Sequence, residues 1–458
     1  MGSFGMGRRP RGSLRISVAR RWLVPATVWL LVSAGLRAGL DEYIRKPDSS
    51  YSWKLKNKVE LSTGVVYDLE LISQTWQGIT WTHQLQVYQP SGVSPAATML
   101  IYVTGGKANP ANMLFGTELA KGIGAPVAVL YDIPNQPLLG NKREDALIAE
   151  TFVRYLESKD ENWPLLFPMV KSVIRAMDTL QAFSEQTWGK KVEKFVISGG
   201  SKRGWTTWLT AATGDPRVKA IAPLVIDMLN LRLQMSHQVE CFGTYSEMIR
   251  DYTERKLVPM PDTEEARRLW AMVDPWVYRE RLTQPKLIVN GANDPYWTVD
   301  ALNLYWDDLP GDKWVLIVPN AGHDLMQRTA AGRDRSRALT TLAAFVRHYT
   351  LDNPMPRMTW QHKDADGQHV LCVSCDQQPK GARLWVARAP TLDFRKATWE
   401  ERVLPEADKQ IEARLAPPGD GFMAFYAELD FSDNGTIYRL STQLRVVGKG
   451  RKENASGK

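Results

Sequence analysis

Three polar residues, each placed directly after a short apolar run, have the chemistry needed for acyl transfer. Ser201 follows KFVISGG, Asp294 follows KLIVNGAN, and His323 follows KWVLIVPNAG. A serine hydroxyl attacks a carbonyl when a histidine accepts its proton and a carboxylate orients that histidine. These residue types therefore predict hydrolysis through a covalent acyl-serine intermediate, provided that the fold brings them together.

The stretch around the serine, FVISGGSKRGWTTWL, passes from an apolar run into a helix-like segment. A serine on a strand-to-helix turn exposes its Oγ, and the backbone N–H of the next residue, Lys202, can point at a developing oxyanion. The usual pattern has a glycine two residues after the serine. Here Arg203 holds that position and the glycine is Gly204. The motif alone leaves a simple glycine-rich turn open as the alternative.

The acid and the base each have a competitor. Asp294 precedes Pro295 and could be a turn residue, and Asp300, six residues later, is the competing acid. His237 is the competing base. The order serine, acid, histidine, with the last two after late apolar runs, favours Asp294 and His323.

A second oxyanion donor is predicted in TGGK, the loop that follows the first continuous apolar run. Gly105 and Gly106 would let backbone N–H groups approach a substrate closely. A phosphate-binding loop is excluded, because the residue after Lys107 is Ala108 and the upstream glycine spacing is missing.

Four residues are candidates for substrate binding. Arg203, beside Lys202, predicts a mouth more cationic than that of a lipase, which favours a polar or acidic acyl group. Trp297 offers a ring on which a sugar can stack. Glu240 and Glu247 are acids that could bind the free amine of a peptide.

Metal and cofactor chemistry is predicted to be absent. Cys372 and Cys375 form one CxxC in the alternating run HVLCVSCD, with His362 and His369 nearby. A zinc site would ordinarily add a second CxxC or a close histidine pair. We therefore predict half-buried strand cysteines, and leave open whether these two form a disulfide.

The elements that must position the candidate residues follow from apolar patterning. VVYDLELISQTW and ITWTHQLQVYQP alternate around Gln77-Gly78, which predicts an antiparallel pair. The continuous runs TMLIYV, PVAVLY, KFVISGG, AIAPLVID, PKLIVNG and KWVLIVP are mostly separated by helical segments, the longest over 165–188. Buried strands alternating with helices predict a parallel sheet covered on both faces. Together these patterns predict an α/β-hydrolase fold over 41–353.

Two further regions are predicted beside this sheet. Residues from about 228 to 284 favour helices and are too long for a simple crossover, so they predict a helical cap over the carboxyl ends of the strands. A helix is predicted from Asp324 to Tyr349, ended by LDNPMP. Beyond it, alternating runs predict a small β-sandwich over 356–447 and a disordered tail over 448–458.

The net charge of +8 belongs to the ends of the chain. Residues 1–37 contain seven arginines and no acid, and 448–458 add a net three positive charges. The body has no positive excess, which excludes nucleic acid as the main partner. Residues 1–38 also contain the apolar stretch WLVPATVWLLVSAGL, so they predict a signal peptide and a periplasmic or extracellular protein. An uncleaved membrane anchor is the alternative.

Several segments resemble the PhoPQ-activated pathogenicity-related protein family. They are YSWKL, SGGSKRGWTTWL, DPRVKAIAPLVIDMLN, YRERLTQPKLIVNGANDPYW and VPNAGH, and the resemblance extends from about Tyr43 to Val447. The family is exported, has an α/β-hydrolase fold and shares the late glycine. The resemblance implies Ser201, Asp294 and His323 as a catalytic triad, but it names no substrate.

The sequence thus favours an exported serine hydrolase acting on an ester or amide of a small molecule, carbohydrate or peptide. The spacing Gly-x-Ser-x-x-Gly, with a basic residue after the serine, is similar to carbohydrate glucuronoyl esterases. A capped hydrolase with an extra β-domain resembles secreted dipeptidyl peptidases. The alternative from another class is a non-catalytic secreted binding or signalling protein that keeps the fold.

Overall fold

The computed structural model describes residues 38–405 and 409–449. The predicted signal peptide therefore lies outside the described residues, except for Ala38, which begins a helix. Most of the predicted tail also lies outside them. Gly448 and Lys449 are an exception, because they pair with Phe422 and Gly421 as the end of the last strand.

The strands and helices are named in chain order. The strands are β1 Ser52–Leu61, β2 Gly64–Trp76, β3 Ile79–Pro90, β4 Thr98–Val103, β5 Val127–Leu130, β6 Lys194–Gly200, β7 Val218–Leu224, β8 Lys286–Gly291, β9 Lys313–Val318, β10 Gln327–Thr329, β11 Gly332–Asp334, β12 Met358–Ala365, β13 Gln368–Cys375, β14 Gly381–Ala389, β15 Trp399–Val403, β16 Gln410–Leu415, β17 Gly421–Asp433, β18 Thr436–Ser441 and β19 Arg445–Lys449. The α-helices are α1 Ala38–Arg45, α2 Pro110–Ile123, α3 Glu144–Ser158, α4 Leu166–Trp188, α5 Lys202–Ala212, α6 Leu231–Phe242, α7 Arg250–Thr253, α8 Glu264–Val273 and α9 Ser336–Leu351. Short 3₁₀ helices cover Glu247–Ile249, Pro275–Arg281 and Ala301–Leu304.

The central sheet runs in the order β1-β2-β3-β5-β4-β6-β7-β8-β9. The predicted hairpin of β2 and β3 is confirmed, and β3 pairs antiparallel with β5. From β5 to β9 every neighbouring pair is parallel. An antiparallel hairpin in front of a parallel sheet, with the strand order reversing at β5 and β4, is the topology of an α/β-hydrolase. The predicted fold is confirmed.

Helices cover both faces of this sheet, which explains why its strands read as continuous apolar runs. Helices α2 and α9 contact one another on one face, and α4 and α5 contact one another on the other. Neighbouring residues of one strand therefore both meet apolar partners. Ile197 of β6 belongs to the core on the α4 side, and Val196 belongs to the core on the α2 side.

The predicted helix from Asp324 to Tyr349 is wrong in its first half. Helix α9 begins at Ser336, and the residues before it form the small antiparallel pair β10–β11. Gly332 has a φ of +124°, a conformation that ends any helix passing through it. The segment QRTAAGRDR also lacks the apolar periodicity that would have held a helix against the sheet.

The predicted cap is helical, and it comprises α6, α7, α8 and two of the 3₁₀ segments. The C-terminal region contains the small sheet β12-β13-β16 and a second group of strands, but the second group is not a separate sheet. Strand β18 lies beside β9, where Ser441 pairs with Val315, so one sheet of fourteen described strands runs through both regions. The Ser441 Oγ, which accepts a hydrogen bond from the N–H of Ile317 at 3.0 Å, reinforces this junction.

Two smaller predictions concern membranes and cysteines. In 38–405 and 409–449, no helix combines the length and apolar character needed to cross a membrane. Cys372 and Cys375, both on β13, are free thiols, and Cys241 in the cap is also a free thiol.

Candidate active site

Ser201 lies on the sharp turn between β6 and α5. Its φ of 57° and ψ of −122° are strained for a residue with a side chain. The Ser201 N–H donates to the carbonyl of Leu224 at 2.9 Å, and its carbonyl accepts from the N–H of Trp205 at 3.0 Å. The turn is therefore held from both sides, as expected for a residue whose Oγ must stand at a fixed point.

The late glycine has a packing explanation. A Cβ at position 204 would lie 2.6 Å from Cγ2 of Ile226 and 3.0 Å from the carbonyl oxygens of Gly199 and Leu224. Helix α5 therefore packs too closely on the strands at Gly204 for a side chain. The preceding residue, Arg203, has room for its side chain because the residue it faces on β6 is Gly199, where a Cβ would lie 2.7 Å from that of Arg203.

The structure brings Ser201, His323 and Asp294 into one hydrogen-bonded chain. Nε2 of His323 lies 2.9 Å from Oγ of Ser201, and Nδ1 lies 2.8 Å from Oδ2 of Asp294. The other carboxylate oxygen of Asp294 accepts from the N–H of Tyr296 at 2.9 Å, and the Asp294 side chain is only 6% exposed. With Nδ1–H directed at the carboxylate, Nε2 is the nitrogen that faces the serine hydroxyl.

A further buried carboxylate lies near Asp294. Burial raises the pKa of Asp227 to about 7, a hydrogen bond from the Tyr305 hydroxyl opposes the rise, and the charges of Asp294 and Asp300 add to it. Asp227 follows β7, so it occupies the strand end next to the one that carries Asp294. It has no hydrogen bond to His323 and does not replace Asp294 as the hydrogen-bond partner of that histidine.

The two competitors, His237 and Asp300, are bonded to each other. Nε2 of His237 lies 2.8 Å from Oδ1 of Asp300, and Nδ1 lies 3.0 Å from Oε2 of Glu240. Hydrogen bonding to Asp300, with smaller contributions from Cys241 and Glu240, raises the pKa of His237 to about 11. The pair ties α6 of the cap to the loop after β8.

Metal-binding chemistry has one candidate location in the described part of the chain. His237, Cys241 and Asp300 offer ligand atoms within 4.8 Å of one another. Both ring nitrogens of His237 already face carboxylates, and burial raises the pKa of the Cys241 thiol. These contacts fit a structural connection between cap and loop.

Sequence reasoning missed the acids that neutralise the two cations beside Ser201. Nζ of Lys202 lies 2.6 Å from Oδ2 of Asp145, and the two side chains are 11% and 13% exposed. Both terminal nitrogens of Arg203 donate to the carboxylate of Glu144 at 2.7 Å. Burial opposes ionisation of Glu144, but hydrogen bonds and charge from Arg203 lower its pKa to about 2.

Of the four residues predicted to bind substrate, only Trp297 lines the cavity that contains Ser201 and His323. Arg203 does not line it, because its guanidinium lies on Glu144 and its Nε donates to the carbonyl of Ile133. Glu240 binds His237 on the outer side of the cap, and Glu247 also lies outside the lining.

Tyr296, which follows Asp294 in the segment DPYW, was also missed. Its ring stacks on that of His323 with centroids 4.2 Å apart and planes 31° apart. Its hydroxyl donates to Asp145 at 3.3 Å. Tyr296 therefore connects the ring of His323 to the buried ion pair of Lys202 and Asp145.

The loop 104–107 lies beside the turn at Ser201, because β4 and β6 are neighbours and Val103 pairs with Gly199. A Cβ at position 105 would overlap the guanidinium of Arg203, whereas a Cβ at 106 would have no atom closer than 3.9 Å. The guanidinium of Arg203, held in place by Glu144, thus packs against the loop at Gly105.

This difference gives a matched pair of variants. Gly105→Ala is expected to displace Arg203 or the loop and to lower the free energy of unfolding by about 1–3 kcal/mol. Gly106→Ala is expected to change it by less than about 1 kcal/mol, because the added methyl meets only ordinary contacts. Urea unfolding of both variants checks this, and equal stabilities would contradict the proposed support by Arg203.

Comparison with known proteins identifies the family of the chain. A family model described as PhoPQ-activated pathogenicity-related protein matches residues 40–395. The chain belongs to this family. Autocrine proliferation repressor protein A of Dictyostelium discoideum is 32% identical to this chain over 445 residues, and the alignment covers 88% of this chain and 87% of that protein. The resemblance seen in the sequence is confirmed.

Solved structures similar to this PhoPQ-activated pathogenicity-related protein are more distant. Acetyl xylan esterase 1 from a Thermoanaerobacterium species is 15% identical, with a TM-score of 0.46, and covers 63% of this chain and 86% of its own. An S-formylglutathione hydrolase from Agrobacterium tumefaciens is 15% identical, with a TM-score of 0.41, and covers 65% of this chain and 96% of its own.

In this member of the PhoPQ-activated pathogenicity-related family, the C-terminal region contacts the loops that carry Asp294 and His323. Nδ2 of Asn293 donates to the carbonyls of Phe394 and Ala397 at 3.1 and 2.8 Å. Asn320 and Trp399 exchange two hydrogen bonds, at 2.8 and 2.9 Å. The loop between β14 and β15, together with the first residue of β15, therefore holds the segments that carry Asp294 and His323.

Proposed function

We propose that this protein is an exported serine hydrolase that cleaves an ester or amide bond through Ser201, His323 and Asp294. The observation that carries the proposal is the unbroken hydrogen-bonded chain from Ser201 Oγ through the imidazole to Asp294. Its placement on a strained strand-to-helix turn supports the same role for Ser201.

In the proposed reaction, Ser201 Oγ attacks the carbonyl carbon while its proton moves to Nε2 of His323. Asp294 stabilises the resulting imidazolium, which then gives the proton to the leaving oxygen or nitrogen. A water molecule, deprotonated by His323, attacks the acyl-serine and releases the acid. The N–H of Lys202, at the first turn of α5, and the backbone N–H groups of Gly105 and Gly106 would stabilise the oxyanion.

Export is part of the proposal and rests on residues 1–38. Their arginines followed by an apolar stretch are typical of a secretory signal, and an uncleaved anchor remains the alternative. Expression of the full-length chain with N-terminal sequencing of the exported product tests it. Retention of the intact N-terminus in the cytoplasm would contradict it.

Reactivity toward a fluorophosphonate tests the nucleophile directly. The full-length folded chain is expected to be labelled at one residue, Ser201, and to lose labelling on heating, because only the assembled site activates the hydroxyl. Peptide mapping by mass spectrometry locates the label. A folded chain that stays unlabelled would contradict the proposed mechanism.

A second candidate function is a non-catalytic signalling role. The observation that favours it is the relative that is 32% identical and bears the name autocrine proliferation repressor protein A. The two functions differ in their need for the serine. A signalling effect of equal size in the wild type and in Ser201→Ala would support the second candidate.

A further inference from the structure

The cavity that contains Ser201 and His323 is lined mainly by apolar side chains of the cap and of α5. About 520 Å³ of space free of protein atoms lies in and in front of it, a volume that includes its opening to solvent. Its apolar wall includes Trp205, Met228, Leu231, Met235, Val258 and Trp270. Burial of a substrate group here removes apolar surface from water on both sides.

Two ionic side chains line the same cavity, but they neutralise each other. Lys202 and Asp145 form a close, nearly buried ion pair. Asp145 also accepts from the hydroxyl of Tyr252 at 3.0 Å and from that of Tyr296 at 3.3 Å. Lys202 Nζ lies in addition 3.5 Å from the Tyr296 hydroxyl. The pair is thus held by partners of its own and offers no unpaired charge to a ligand.

The other cation near Ser201, Arg203, is also neutralised. Arg203 is held by Glu144, whose carboxylate is in turn bound by the amide of Gln136 at 2.7 Å. A carboxylate on the substrate would enter the cavity without a free cation, and an ammonium would enter it without a free anion. Either transfer of a charge from water is costly.

The order of bond breaking in acyl transfer indicates which part of the substrate the cavity takes. In acyl transfer the acyl group stays bonded to the serine until water releases it, whereas the leaving group must depart first. A cavity under the cap suits the group that stays.

We infer that this cavity selects an uncharged, apolar acyl group, and that Asp145 determines the selectivity by neutralising Lys202. The inference rests on the proposed hydrolase function and names its substrate class. It replaces the acidic acyl group expected from the sequence, because that expectation took Lys202 and Arg203 to be unpaired.

A series of 4-nitrophenyl esters tests the selectivity. On the full-length chain, kcat/KM is expected to rise about fourfold per added methylene from acetate to hexanoate. The hexanoate ester is expected to exceed the adipate mono-ester, which carries a carboxylate at the chain end, by at least about 100-fold. A preference for the adipate or glucuronate ester, or for a dipeptide amide with a free amine, would overturn the inference.

Asp145→Asn tests the role of the ion pair. The variant leaves Lys202 with only the more distant carboxylate of Glu144, at 3.9 Å, which Arg203 already binds, so the ratio of kcat/KM for hexanoate over adipate is expected to fall at least tenfold. Asp145→Asn combined with Lys202→Met removes both charges and keeps the backbone N–H of residue 202, so it is expected to restore the preference for hexanoate. An unchanged ratio in the single variant would contradict the role of Asp145.

Two controls separate failure of the inference from failure of the proposed function. Glu240→Gln removes an acid of the cap outside the cavity and is expected to leave the ratio unchanged. Fluorophosphonate labelling of Ser201 reports the nucleophile without depending on acyl selectivity. A labelled chain that prefers charged esters would overturn the inference alone, and an unlabelled folded chain would overturn the function.

Discussion

Replacing Ser201 with alanine is expected to lower kcat for ester hydrolysis by about 10³- to 10⁶-fold. The variant lacks the oxygen that forms the acyl bond, and the remaining donors can only bind the substrate and polarise its carbonyl. The measurement is hydrolysis of the best ester in the acyl series, together with loss of fluorophosphonate labelling.

The fold is expected to survive this change. The turn between β6 and α5 is held by backbone hydrogen bonds of Ser201 with Leu224 and Trp205, which alanine keeps. Ser236→Ala, on the outer face of the cap, is a suitable control because its hydroxyl binds only carbonyls of its own helix. Turnover by folded Ser201→Ala at the wild-type rate would show that another residue is the nucleophile.

The positions of the three proposed catalytic residues could be predicted because a parallel sheet gathers the carboxyl ends of its strands at one edge. Ser201, Asp294 and His323 each follow an apolar run, and β6, β8 and β9 lie within four adjacent strands of the sheet. Local patterning therefore sufficed to choose Asp294 and His323 over competitors in the cap and its adjoining loop. Those competitors, His237 and Asp300, bind each other.

The electrostatic character of the site could not be predicted in this way. Glu144 and Asp145 read as ordinary acids in the first turn of a helix, where they suit the helix dipole. Their cationic partners lie 57 and 59 residues away, on the helix after the serine. A sequence shows the charges of Lys202 and Arg203, but the tertiary fold decides whether those charges are free.

The contacts between the C-terminal region and the site could not be predicted from the sequence for a similar reason. Asn320 and Trp399 are 79 residues apart, and neither of their segments indicates the other as its partner. The sequence predicted the small β-sandwich, but alternation along a strand does not reveal which sheet the strand joins, so the pairing of β18 with β9 was not predicted. The continuous sheet makes these strands part of the framework that positions Asp294 and His323.

Asp294→Asn is expected to lower kcat by about 10⁴-fold with little change in the position of the side chain. Oδ1 of Asp294 accepts the N–H of Tyr296, and an asparagine keeps that hydrogen bond only by placing its carbonyl oxygen there. Its NH₂ group then faces Nδ1 of His323. The imidazole is forced to carry its proton on Nε2, where it can no longer accept the proton of Ser201.

Asp300→Asn provides the matched control, since it removes the other acid of the same loop. It weakens only the contact with His237 in the cap, so kcat is expected to stay within about threefold of the wild type and stability to fall by about 1–3 kcal/mol. Measuring kcat and urea unfolding for both variants distinguishes a carboxylate that orients the base from one that fastens the cap. A large loss of kcat in Asp300→Asn, with Asp294→Asn nearly active, would assign the catalytic acid to Asp300 and reverse the proposed roles.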